Sequence, residues 1–139
     1  GTAHVVASGP NRMSTKNKAH WIGTVPETDA LKRLAESGIH VLCVRVADYG
    51  CGQSALVRAL MEGVPTIATD IPVLAEYLPQ FGVVSVPPGD PLAIGDAVNR
   101  WRSNPDLWRH AREDAFKFAM RFEHAPFARR MALIATELD

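Results

Sequence analysis

The chain has 139 residues, with 15 Lys+Arg against 15 Asp+Glu, a formal net charge of +0, 47% apolar residues and 22% charged ones. This composition excludes a disordered chain and argues against a general nucleic-acid binder, because no surplus of cations exists to neutralise phosphates. No apolar run approaches the roughly 18 residues of a membrane span, no signal-peptide pattern opens the sequence, and two cysteines cannot build a disulfide framework. The expectation is one domain spanning residues 1–139 in a reduced, cytoplasmic setting. The abrupt start at Gly1 suggests that the sequence begins inside a larger fold.

Strand-like and helix-like segments alternate along the chain. Residues 3–7 form a short apolar run stopped by Ser8-Gly9-Pro10, and residues 11–18 are polar and basic, a predicted loop. His20-Trp21-Ile22 is a second short strand, ended by Gly23. Pro26-Glu27-Thr28-Asp29 starts a helix whose apolar stripe is Leu31, Leu34 and Ala35. Gly38 is expected to end it in the left-handed conformation. Residues 39–46 are β-rich and nearly continuously apolar, the pattern of a central parallel strand covered on both faces. The turn Asp48 to Ser54 is glycine-rich, and the helix behind it runs from about Ser54 to Glu62 with Gly63 as its stop. Residues 65–69 read as a strand, 72–78 as a short helix, and 82–86 as a strand closed by Pro87-Pro88-Gly89. Asp90-Pro91 and Asn104-Pro105 are two helix starts, each a capping side chain followed by a proline. The second helix continues to about Met120, and a last one is predicted over 126–138. Such alternation predicts an α/β fold: a Rossmann-like parallel sheet with helices on both faces and a helical C-terminal extension.

Chemistry is expected beyond the carboxyl end of strand 39–46, where open α/β sheets bind ligands. Glycines there let backbone N–H groups approach a phosphate, and a helix N-terminus adds about half a positive charge. Gly50, Gly52, Gln53 and Ser54 are therefore candidates for an anion cradle, against the alternative of a tight turn that binds nothing. One assignment is a dinucleotide fingerprint. Residues 50–55 fit G-x-G-x-x-[G/A], and Asp70 stands at the end of the next strand, where an acid would hold a ribose hydroxyl of NAD.

The other assignment uses more of the chain. In order, the sequence carries Trp21-Ile22-Gly23-Thr24-Val25, the run Ala59-Leu60-Met61-Glu62-Gly63-Val64-Pro65-Thr66-Ile67-Ala68-Thr69-Asp70, then Glu76, then Val86-Pro87-Pro88-Gly89-Asp90-Pro91-Leu92-Ala93. Phe122-Glu123-His124 follows, at the start of the last predicted helix. Through these motifs residues 19–138 resemble the C-terminal, nucleotide-sugar-binding half of the family 4 glycosyltransferases, enzymes of the two-Rossmann-domain fold. The resemblance implies a nucleoside-diphosphate sugar as donor. Its base would pack near Gly23, Thr24 and Val25, and its diphosphate would sit at the helix start Gly52-Gln53-Ser54. The acceptor would be held by an N-terminal domain that this sequence lacks. No metal and no cofactor are implied, and neither nucleic acid nor a transmembrane segment is expected.

Two glutamates normally finish such a site. Counting back from Gly63-Val64-Pro65 puts Arg58 at the ribose-binding position and Gly50 at the sugar-binding one, with Cys51 taking the latter if one residue is deleted. The family's basic pair from an earlier loop has Arg12 with Lys16 or Lys18 as its only stand-ins; the alternative is a solvated basic loop. No catalytic residue is identifiable. His4 and His40 are expected to be packed on strands, His20 and His110 have no partner at metal-ligand spacing, His124 is expected to be structural at a helix start, and Cys43 is expected to be buried and inert. Three functions stay open: a donor-binding domain, a degenerate module of the same fold, and a domain that binds NAD.

Overall fold

The computed structural model describes residues 3–6, 19–44, 52–78 and 82–121. It divides into two compact units, Gly1–Glu36 and Ser37–Asp139.

In the first unit, β1 (Ala3–Val6) pairs in parallel with β2 (Ala19–Gly23), with an irregularity in register between Val5 and Val6. Helix α1 (Glu27–Ala35) follows. Pro26 precedes it, Glu27 and Asp29 occupy its first turn, and Lys32 and Arg33 its last, as the helix dipole favours. Gly38 does not end this helix. The C-cap is Glu36 in the right-handed region, and its N–H bonds Lys32 O at 3.1 Å, so the last turn closes without a left-handed residue.

The second unit is built on a parallel sheet of order β3–β4–β5: His40–Leu42, Thr66–Thr69 and Val83–Val86. Among the described residues of this unit, the strand expected at the centre stands at one end of the three. β4 is central and fully buried, and β3 is only three residues long, with Val41 40% exposed. The register aligns Leu42 with Ala68 and Ser85's partner position, and Ile67 with Val84. Because side chains alternate across the pleat, this alignment sorts them into two cores. On one face Leu42, Ala68 and Val83 pack with Leu56 and Leu60 of α2 (Gln53–Met61) and Leu74 of a 3₁₀ helix (Pro72–Tyr77). On the other, Ile67, Val84 and Val86 pack with Trp101 and Ile94 of α3 (Pro91–Ser103).

Helix α4 (Pro105–Arg121) joins both cores. Leu107, Trp108 and Ala111 belong to the Trp101 side, and Ala115 and Phe118 to the Leu56 side. Trp108 Nε1 donates to Gly38 O at 2.7 Å, the backbone of Ala111 lies against Gly82, and the Phe116 ring lies against Gly63. Gly82 directly precedes β5, Gly38 stands before Ile39 at the start of β3, and Gly63 stands before Val64-Pro65 at the start of β4. Helix α4 therefore runs across the amino ends of the strands and leaves their carboxyl ends uncovered by it.

The chain ends its elements as local chemistry dictates. Asp90 Oδ1 accepts from Leu92 N and Ala93 N, both at 3.0 Å, and Asn104 Oδ1 accepts from Leu107 N at 3.1 Å. At the end of α2, Gly63 takes φ +66°, with Gly63 N bonded to Leu60 O and Val64 N to Ala59 O. This is the paired bond set that a left-handed C-terminal residue permits. The helix expected over 126–138 lies outside the described residues.

Candidate functional site

The carboxyl edge of β3–β4–β5 carries Cys43 and Val44 after β3, Asp70 after β4 and Pro87 after β5. Helix α2 begins here, at Gly52. That residue has φ +87°, a left-handed conformation that favours glycine. A Cβ there would lie 2.8 Å from Val44 Cγ2 and 3.4 Å from Leu42 Cδ2. The glycine is thus needed twice, for its backbone angle and for the close approach to β3.

No side chain caps α2, and its first turn holds no acid. The contrast with α3 is informative, because there Asp90 fills the helix N-terminus with its own carboxylate. Among the described residues no side chain meets the N–H groups at the start of α2 or the partial positive charge they carry. Ser54 is exposed in that first turn. Gln53 is half-buried, and its Nε2 donates to Val73 O at 2.9 Å, so its side chain ties α2 to the 3₁₀ helix. Arg58 is exposed one helical turn beyond Ser54, on the same stripe of the helix.

Beneath this edge lies a side-chain bond that the sequence does not announce. The β3–β4 ladder ends at Leu42 opposite Ala68. Thr69, only 5% exposed, extends it: its hydroxyl accepts from Val44 N at 3.1 Å and donates to Leu42 O at 3.3 Å. A second buried threonine works at the opposite end of β4. Thr66 Oγ1 donates to Val64 O at 3.2 Å and so accepts from His40 Nδ1, also at 3.2 Å. Burial lowers the His40 pKa from 6.5 to about 4, so the ring is neutral at pH 7.

The structure thus brings together Gly52, Gln53, Ser54 and Arg58 on one helix. Gly23 (φ +73°), exposed Thr24 and half-buried Val25 follow β2 in the first unit. Gly50, Cys51, Arg12, Lys16 and Lys18 lie outside the described residues. Cys43 is exposed, not buried as expected, because β3 stops at Leu42 and the residue falls past the strand's end. Asp70 is exposed, with its N–H bonded to Val86 O at 2.8 Å, and Glu76 is exposed on the 3₁₀ helix.

Two hollows lie beside α3 and α4, the first of them reaching Pro87 at the end of β5. One of about 430 Å³ runs between β5 and α3 over Trp101, and one of about 270 Å³ sits between Gly38, Pro105 and Trp108. Among the described residues no group of three or more His, Cys, Asp or Glu could hold a metal, and no helix is long and apolar enough to cross a membrane.

No family model and no curated protein matches the sequence. The structure is similar to that of the sucrose-phosphate synthase from Thermosynechococcus elongatus, with a TM-score of 0.70 and 19% sequence identity over 87% of this chain. This chain spans 30% of the length of that protein's chain. At that identity the likeness speaks for the fold, and the fold is α/β: a Rossmann-like parallel sheet flanked by helices.

Proposed function

We propose that this chain is the donor-binding domain of a glycosyltransferase, which moves a sugar from a nucleoside-diphosphate sugar to an acceptor held by another domain. The observation that carries this reading is the start of α2: an uncapped, acid-free helix N-terminus behind a left-handed glycine, at the carboxyl edge of a parallel sheet. The motif order from Trp21 to Ala93 adds support, as does the fold likeness to an enzyme whose name gives a sugar phosphate as its product. In this reading the N–H groups of Gln53 and Ser54 hold the diphosphate and stabilise the charge it gains as it leaves. Arg12 and Lys16 supply further phosphate contacts, Gly23, Thr24 and Val25 meet the base, and Gly50 and Arg58 occupy the two positions where glutamates are expected. The chain by itself binds nucleotide weakly and catalyses nothing, in a cytoplasmic setting.

Ligand-observed NMR with UDP, GDP, ADP and NAD tests this. One nucleoside diphosphate should bind and be displaced by its sugar nucleotide. Binding of NAD alone overturns the reading in favour of a dinucleotide site, where exposed Asp70, ending the strand next to β3, would meet the ribose. A second reading, a degenerate module that serves structure or interaction, is favoured by Arg58 standing where a ribose-binding glutamate is expected. Arg58→Glu separates the two: donor affinity should rise if the rest of the site is kept. No gain at millimolar donor means there is no latent site.

A further inference from the structure

We propose that Thr69 is a positioning residue for the nucleotide site, acting through Val44 on the backbone of Gly52. The inference rests on the donor-binding reading above.

The geometry forms a chain of contacts. Thr69 is buried at the end of β4, and its hydroxyl bonds two backbone groups of the neighbouring strand's exit, accepting from Val44 N and donating to Leu42 O. Those two groups lie at the point where the β3–β4 ladder stops, the last pair being Leu42 and Ala68. With no hydroxyl there, Val44 N–H and Leu42 O would lose these partners at a half-buried site, which is costly. Val44 in turn is the side chain against which Gly52 packs, so closely that a Cβ would stand 2.8 Å from its Cγ2. Gly52 is the first residue of the α2 start, and Gly52 O accepts the helix's first bond, from Leu56 N, at 3.0 Å. Thr69 thereby sets where β3 ends, Val44 transmits that position, and Gly52 fixes the direction in which the α2 N–H groups point. A phosphate bound by those groups senses their placement steeply, because charge-assisted hydrogen bonds demand good geometry. A threonine is suited to this place because a valine of the same shape would fill it and leave both backbone groups unpaired.

The test uses the full chain, labelled with ¹⁵N, with UDP, GDP and ADP titrated and hydrogen exchange followed at the Val44 amide. Thr69→Val should weaken the nucleotide that binds by about ten-fold or more, the loss expected when a buried hydrogen-bond pair is left unmade, and should speed Val44 exchange. Thr69→Ser keeps the hydroxyl and should restore both. Thr66→Val is the control. It removes a buried hydroxyl from the opposite end of the same strand, so it should lower stability yet leave nucleotide affinity unchanged. In the unaltered chain, saturating nucleotide should slow Val44 exchange further, because a ligand that needs the bond suppresses its opening. This measurement decides the matter even if Thr69→Val fails to fold. Unchanged affinity in Thr69→Val, failure of Thr69→Ser to restore it, an equal loss in Thr66→Val, or Val44 exchange indifferent to nucleotide each overturns the positioning role while leaving the donor reading intact. If the unaltered chain binds none of the three nucleotides, the donor reading fails first and the positioning role falls with it.

Discussion

Gly52 joins two constraints that are usually met separately. Its φ of +87° costs a residue with a Cβ about 1 kcal/mol, and that Cβ would press on Val44, a short side chain stiff at χ1. Gly52→Ala is therefore expected to destabilise the chain by about 1–3 kcal/mol, read as a lower urea midpoint with an unchanged slope. A wild-type midpoint would mean that neither the backbone angle nor Val44 constrains this position. His40 makes the second prediction at this scale. Its folded pKa of about 4 lies below the unfolded 6.5, so the unfolded chain binds the extra proton between these values. Stability is then fully present above pH 6.5 and declines as pH falls toward 4, by at most about 3 kcal/mol and less to the extent that water reaches the ring. His40→Gln should flatten that part of the stability profile, measured by denaturant unfolding at pH 7, 5.5 and 4.5. An unchanged slope would assign the acid loss to carboxylates.

Among the elements, α2 and α3 differ in how they begin, and the difference separates stability from binding. Asp90 closes α3 with two hydrogen bonds from its own carboxylate, an arrangement that typically contributes about 1 kcal/mol. Helix α2 has neither a cap nor an acid, so its start is less stable than it would be with one and more receptive to an anion. Ser54→Asp places a carboxylate in that first turn. It is expected to raise stability by about 0.3–1 kcal/mol through the helix dipole while lowering nucleotide affinity, since the new charge repels phosphate. Thermal unfolding and a nucleotide titration on the same sample check both signs. If stability and affinity move together, the α2 start is not where the phosphate binds.

On the scale of the second unit, α4 is the element that makes the two cores into one. Its first half packs beside Trp101 and its second half places Ala115 and Phe118 beside Leu56 and Leu60, on opposite faces of the sheet. Phe118 is 2% exposed and meets Tyr77 edge-on, with ring centroids 6.0 Å apart. Phe118→Ala should cost about 3–5 kcal/mol through lost burial and the cavity left behind. Because α4 links the faces, the tryptophan fluorescence of a Trp21→Phe variant, which reports Trp101 and Trp108, should lose its folded signal at the same urea concentration as far-ultraviolet circular dichroism. Separate transitions would show that the two cores unfold independently. The same helix explains the polarity of the unit. Its contacts with Gly38, Gly63 and Gly82 occupy the amino ends of the strands, and the carboxyl ends, with Gly52 and Thr69, stay clear of it.

Much of this was legible in the residues themselves, for a physical reason. Helix starts and stops are local: Asp90 with Pro91, Asn104 with Pro105, and Gly63 after α2 act within one turn, so their spacing alone locates them. The alternation of strand and helix likewise determined the α/β class, and the glycine turn located the start of α2. What depends on distant partners was not legible. The order β3–β4–β5 follows from pairing between segments far apart in the chain, so the apolar run 39–46 suggested a central strand where the described strand has three residues and stands at one end of the three. Cys43 accordingly proved exposed. Thr69 reads as one β-branched residue among others in an apolar strand, and its importance arises only from Val44 and Leu42, 25 and 27 positions away. Local chemistry therefore determined which elements exist and where α2, α3 and α4 begin, but not where α1 and β3 stop. Only the tertiary structure decided which strand lies in the middle, which edge α4 covers, and which hydroxyl holds the open edge in place, because each of these is a contact between groups that sequence spacing does not bring together.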